Sequence, residues 1–123
     1  MATDLAIDAD FFNWCLESGK RPGKIVYFSS SAVYPVELQT RTLQCHLLES
    51  LVDLDKDRIG MPDAMYGFAK LTGELLAKYA VEKHGLDVVI YRPFSGYGND
   101  QDAGYPFPAL MERVRRREDP ITI

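Results

Sequence analysis

Apolar side chains at Leu5, Ala9, Phe12 and Leu16 recur every three or four positions, the spacing of one helical face. They predict a helix over residues 4–18, with Asp4 as its cap and Gly19 as its stop. The turn residues Lys20-Arg21-Pro22-Gly23 separate it from Ile25-Val26-Tyr27-Phe28, a short β-rich run that ends abruptly in Ser29-Ser30-Ser31 and reads as a buried strand. From 36 to 61 the leucines Leu43, Leu47, Leu48 and Leu51 mix with acids without a period, which predicts a long excursion holding one short helix. Asp63 then caps a helix running to about His84, with Met65, Phe68, Leu71, Thr72, Leu75 and Tyr79 on its inner side and Gly85 closing it. Leu86-Asp87-Val88-Val89-Ile90-Tyr91 reads as a second strand broken at Pro93, and a last short helix is expected from Pro108 to about Arg117. Ile121-Thr122-Ile123 looks like the start of a further strand. Strand, helix, strand in this order predicts a parallel pair joined by a right-handed crossover, so the fold class is α/β.

Composition narrows the partners. With 123 residues, 46% hydrophobic and 26% charged, the chain has the makings of one globular domain. A formal charge of -4 offers no field to a phosphate backbone, so nucleic acid is not an expected partner. No apolar stretch approaches the roughly 18 to 20 residues that cross a bilayer, and Met1-Ala2-Thr3-Asp4 lacks the basic start of a secretory signal. The expectation is a cytoplasmic protein with no membrane partner. Cys15 and Cys45 show no paired spacing and are read as reduced thiols, neither staple nor zinc site.

The chemistry sits on the long helix. Tyr66 and Lys70 are four apart, so both side chains emerge from one face, one turn from each other. A phenol ordinarily titrates near 10, so a tyrosine used as a base at neutral pH needs help of the kind a nearby ammonium gives. The spacing alone is weak, arising by chance in roughly one such chain in three, so the pair needs a third witness. Ser30 supplies it, at the carboxyl end of the preceding strand, where open α/β sheets place their reacting groups. Other patterns carry less. Asp53, Asp55 and Asp57 imitate a calcium loop, but Arg58 stands at its glycine position and Ala64 at its twelfth, so no metal is expected. Cys45-His46 is read as packing rather than as a nucleophile and its base, and Arg113, Arg115, Arg116 and Arg117 as a solvated helix end.

Three segments make the pattern specific: Phe28-Ser29-Ser30-Ser31-Ala32-Val33-Tyr34-Pro35, then Tyr66-Gly67-Phe68-Ala69-Lys70-Leu71-Thr72-Gly73-Glu74, then Tyr91-Arg92-Pro93-Phe94-Ser95-Gly96-Tyr97-Gly98. In this order they resemble successive motifs of the extended short-chain dehydrogenase/reductases, in particular the NAD-dependent epimerase/dehydratase group acting on nucleotide sugars. The resemblance implies a partial Rossmann-like doubly wound parallel sheet, in the order helix-strand-helix-strand-helix and incomplete at both ends. It implies NAD as cofactor, with NADP left open, and a nucleotide-diphosphate sugar as substrate, hence an isomerase or oxidoreductase of nucleotide-sugar metabolism. Counting back four from Tyr34 places the family's catalytic hydroxyl on Ser30 rather than Ser29 or Ser31. Tyr66 then inherits the general base and acid, Ser30 orients the sugar hydroxyl, and Lys70 lowers the phenol and holds the nicotinamide ribose. Phe94 matches a position lining the nicotinamide site, and Ser95 one where many relatives carry a substrate-contacting asparagine. Asn99 stands where a proline is common, and the interval from Ser30 to Tyr66 is long for a simple epimerase.

These enzymes also begin with a glycine-rich turn that binds pyrophosphate at a helix N-terminus, and the nine glycines here form no such turn. Residues 1–123 therefore read as the catalytic half of the dinucleotide-binding domain, without its glycine-rich amino-terminal half and without the sugar-binding lobe. That leaves two functions open for the chain itself: an enzyme module, or a non-catalytic interaction subunit that self-associates through its amphipathic helices. The family resemblance implies a homodimer through a helix bundle in either case, and the missing turn implies weak or no NAD binding by these residues alone.

Overall fold

A computed structural model of the chain describes residues 2–17, 19, 22–40, 42, 45–56, 60–96, 98 and 100–120. The elements follow one another as α1 (Ala2–Glu17), β1 (Ile25–Phe28), α2 (Ala64–His84), β2 (Val88–Tyr91) and α3 (Pro106–Arg115). Helix α1 starts two residues before the expected cap, so Asp4 stands in its first turn, where a carboxylate suits the positive end of the helix dipole. Helix α3 likewise starts early, with Pro106 in the first turn, where its missing N–H costs nothing. The strand expected at 121–123 lies outside the described residues, as do Leu43, Asp57, Arg58, Tyr97 and Asn99.

Strands β1 and β2 pair in parallel, Ile25 opposite Val88 and Phe28 opposite Tyr91. The ladder runs on past both carboxyl ends: Ser29 N–H donates to the Tyr91 carbonyl at 2.8 Å and Ser31 N–H to the Pro93 carbonyl at 3.0 Å. The segments leaving the strands therefore stay side by side. A two-stranded parallel sheet with helices is an α/β arrangement compatible with part of a Rossmann-like fold.

Alternation along β1 buries Ile25 and Tyr27 and exposes Val26 and Phe28. The buried side packs with Phe12 and Cys15 of α1, Ala77 and Ala80 of α2, and Leu86. A second cluster joins Val33, Tyr34, Val52 and Leu71, with Leu47, Leu51 and Leu54 laid against it. Those leucines explain the aperiodic segment. In place of one short helix its described residues form two 3₁₀ turns, Val36–Leu38 and Glu49–Leu51, and Leu47, Leu51, Val52 and Leu54 pack into the cluster around Tyr34. Cys45 and His46, expected to pack, are exposed because this stretch runs over the surface, where Cys45 Sγ reaches the Leu38 carbonyl at 3.4 Å. Cys15 is buried, which pushes its thiol up and makes it a poor nucleophile.

Helix α2 has the expected bounds and a different inner face. Met65, Phe68, Leu75 and Tyr79 are exposed, and of the expected inner residues only Leu71 is buried. The face turned inward carries Gly67, Ala69, Leu71, Gly73, Glu74, Ala77 and Ala80. Small residues let the helix lie close. A Cβ on Gly67 would overlap the Ala32 carbonyl oxygen, and one on Gly73 would overlap the Tyr27 hydroxyl. Gly85 ends the helix at φ 61°, its N–H donating to the Val81 carbonyl at 2.9 Å while Leu86 N–H reaches the Ala80 carbonyl at 3.2 Å. Asp63 holds the N-cap position without a side-chain capping bond. Among the described residues no helix is long and apolar enough to cross a membrane.

Candidate active site

The site begins where β1 ends. Ser29 continues the inward face of the strand and is buried, its Oγ without a hydrogen-bond partner among the described residues. Ser30 has extended backbone and opens the 3₁₀ turn Ser31–Val33, its Oγ accepting the Ala32 N–H at 3.1 Å. The first turn of α2 docks on this same turn. Asp63 N–H donates to the Ala32 carbonyl at 2.8 Å, and Gly67 sits against that carbonyl. Tyr66 lies between these two anchors and is 51% exposed, so the segment opened by Ser30 and the helical turn carrying the phenol meet at the carboxyl edge of the sheet.

Lys70 stands one turn further along α2, its Nζ over the Tyr27 ring, 5.2 Å from the centroid. With Ser30 engaged by Ala32 and Lys70 by Tyr27, no hydrogen bond among the described residues joins Tyr66 to either. Catalytic hydrogen bonds are often loose in the absence of substrate.

Tyr27 was not legible as part of this constellation. Its hydroxyl donates to Asp8 Oδ2 of α1 at 2.6 Å. Burial pushes its pKa well above the ordinary phenol value; the bond to Asp8 and the charges of Asp8, Glu74 and Tyr66 act in the same direction. Tyr27 is thus a locked neutral donor, and the phenol open to a ligand is that of Tyr66.

A second pair was also missed. Glu74, two turns beyond Tyr66 on α2, is fully buried, and Arg92 grips both of its oxygens, Nε to Oε1 at 2.8 Å and Nη2 to Oε2 at 2.7 Å. The same guanidinium donates to the carbonyls of Glu49 and Val52 at 2.9 and 3.3 Å and lies 5.6 Å from the centroid of the Tyr34 ring. Hydrogen bonding to Glu74, and the charge of that carboxylate, hold the guanidinium above its usual range against the opposing effect of burial. Arg92 thereby ties the end of β2, helix α2 and the irregular segment to one point. The one acid of the Tyr66–Glu74 motif and the one arginine of the Tyr91–Gly98 motif were the available signal. Beyond Arg92, Phe94 stacks on Tyr34, centroids 5.8 Å apart and planes 26° apart, while remaining largely exposed, and Ser95 is exposed beside it. No group of three His, Cys, Asp or Glu side chains among the described residues could hold a metal ion.

Ser30 and Tyr66 thus stand on segments that meet at the carboxyl edge of a parallel α/β unit, with Lys70 one helical turn from Tyr66. The model of the NAD dependent epimerase/dehydratase family matches residues 1–123, and the chain belongs to that family. No curated protein and no solved structure matches the chain.

Proposed function

We propose that this chain carries the catalytic Ser30, Tyr66 and Lys70 of an NAD-dependent epimerase or dehydratase acting on a nucleotide-diphosphate sugar. The observation that supports the reading most is the docking of the first turn of α2 onto the Ser31–Val33 turn, which sets an exposed phenol beside the segment that Ser30 opens. In this reading Tyr66 Oη takes the proton of a sugar hydroxyl and returns it later, and Ser30 Oγ orients that hydroxyl. The Lys70 ammonium stabilises the phenolate and donates to the nicotinamide ribose. Among the described residues Lys70 is in no ion pair, and the exposed Phe94 ring offers an apolar face, a donor set that suits a ribosyl nicotinamide. NAD, when bound, supplies the hydride acceptor that makes oxidation at the sugar carbon reversible. Ser95 contacts the sugar. The test is Tyr66→Phe in the protein that contains this chain: turnover of a nucleotide-diphosphate sugar falls about 10²- to 10⁴-fold while the fold is kept. Unchanged turnover contradicts the assignment.

Self-association is the second part of the proposal. Ile7, Phe11 and Trp14 of α1 and Phe68, Leu75 and Tyr79 of α2 are large apolar residues left exposed, a feature that supports a homodimer through these helices. Self-association is also what the alternative reading, a non-catalytic interaction subunit, requires. Retained turnover in Tyr66→Phe together with a stable dimer is the outcome that favours the subunit.

A further inference from the structure

Tyr27 is held from three directions. Its hydroxyl is bonded to Asp8 of α1 at 2.6 Å, its ring leans on Phe12 with centroids 5.9 Å apart, and its hydroxyl end presses on the bare Cα of Gly73 in α2. It is a rigid aromatic plate between two helices, and Lys70 Nζ rests over it. A lysine has four rotatable bonds and a compact, strongly hydrated charge, so an ammonium that nothing holds spreads over many rotamers. Among the described residues Lys70 makes no hydrogen bond and no ion pair. The Tyr27 ring lies within the roughly 6 Å over which a cation is attracted to an aromatic face and gives the ammonium a fixed seat, while the Asp4 carboxylate of α1 attracts it through charge.

We propose that Tyr27 is a positioning residue: its ring, oriented by Asp8 and Gly73, seats the Lys70 ammonium one helical turn from Tyr66. This rests on the reading that Lys70 works with Tyr66, and it adds the reason why a flexible side chain is ready for that work. Tyr27 touches neither substrate nor cofactor in this scheme and acts only through Lys70.

The test is an NMR measurement on this chain joined to kinetics of the protein that contains it. The ring current of Tyr27 moves the Lys70 ε-methylene protons upfield of those of the other lysines. Tyr27→Phe keeps the ring but loses its bond to Asp8, so it is expected to shrink the upfield shift in part, whereas Tyr27→Leu returns the shift to the common lysine position and lowers turnover by about tenfold to a hundredfold, the scale on which a misplacement of about 1 Å acts. If Tyr27→Leu does not fold, Asp8→Ala carries the test, since it removes the orienting bond from a partly exposed position and is expected to shrink the Lys70 shift. A Lys70 resonance indistinguishable from the other lysines overturns the proposal, and so does a folded Tyr27→Leu protein with full turnover. Lys70→Met separates the two layers: full turnover in that variant overturns the role of Lys70 itself, whereas its loss beside an unaffected Tyr27→Leu protein overturns only the positioning role.

Discussion

Glu74 shows what a single residue contributes here. Its carboxylate has no access to solvent, and both oxygens are taken by one guanidinium. Removing one partner of such a pair leaves an uncompensated buried charge, which costs about 3–5 kcal/mol, far more than an exposed ion pair is worth. Glu74→Ala is therefore expected to lower the unfolding free energy by about that amount in a denaturant titration, and a loss near zero would show Arg92 to be solvated. Tyr27 makes a pH-dependent contribution. Its phenol is raised in the fold above the ordinary value of 10.0, so the unfolded chain ionises first and the native state holds the proton longer. Stability from this group is fully present below pH 10 and is lost progressively as the pH rises above it. Denaturation midpoints measured between pH 8 and 11 are expected to fall at the upper end, and less steeply in Tyr27→Phe. Neither residue was legible as part of the site. Glu74 finds Arg92 eighteen positions away, and Tyr27 finds Asp8 nineteen positions away, through packing that no local spacing encodes.

At the scale of elements, strand β1 was legible to the residue and helix α2 to its ends, because a β-rich run bounded by turn residues and the closing Gly85 are local signals. The inner face of α2 was not. Its large apolar residues and its small ones both recur at helical spacing, and hydrophobicity alone favours the large set. What decides is approach. The Ala32 carbonyl and the Tyr27 hydroxyl come so close to the helix that only Gly67 and Gly73 fit beneath them. Gly67→Ala meets immovable backbone, so the overpacking cost of about 1–3 kcal/mol exceeds the roughly 1 kcal/mol of helix propensity it gains. Thermal melts are expected to show a destabilised protein, and a stabilised one would mean that α2 stands further from β1. The exposed set behaves in the opposite way. Phe68→Glu is expected to change monomer stability by about 0.5 kcal/mol or less while weakening self-association in sedimentation equilibrium. A dimer unaffected by this change would move the interface elsewhere.

At the scale of the whole molecule, the α/β class and the parallel pairing were legible from element order, while the 36–61 segment was not, since Leu47, Leu51 and Leu54 serve a second cluster around Tyr34 and the described residues of the segment form no α-helix. Among the described residues the sheet has two strands, and Val26, Phe28 and Tyr91 are exposed, with the rings of Phe28 and Tyr91 stacked at 6.1 Å. The residues proposed to contact the nicotinamide end are on this chain, and a glycine-rich pyrophosphate turn is not among its residues. Calorimetric titration of the 123-residue chain with NAD is accordingly expected to give weak or no binding, and micromolar affinity would show that these residues suffice.

In the proposed function Ser30 and Tyr66 act on one sugar hydroxyl as a unit. The most direct measurement is a double-mutant cycle on turnover of a nucleotide-diphosphate sugar by the protein that contains this chain, using Ser30→Ala, Tyr66→Phe and the two combined. Groups that work together are strongly non-additive. The double variant is expected to be scarcely slower than Tyr66→Phe alone; losses that multiply would contradict joint action of the two groups.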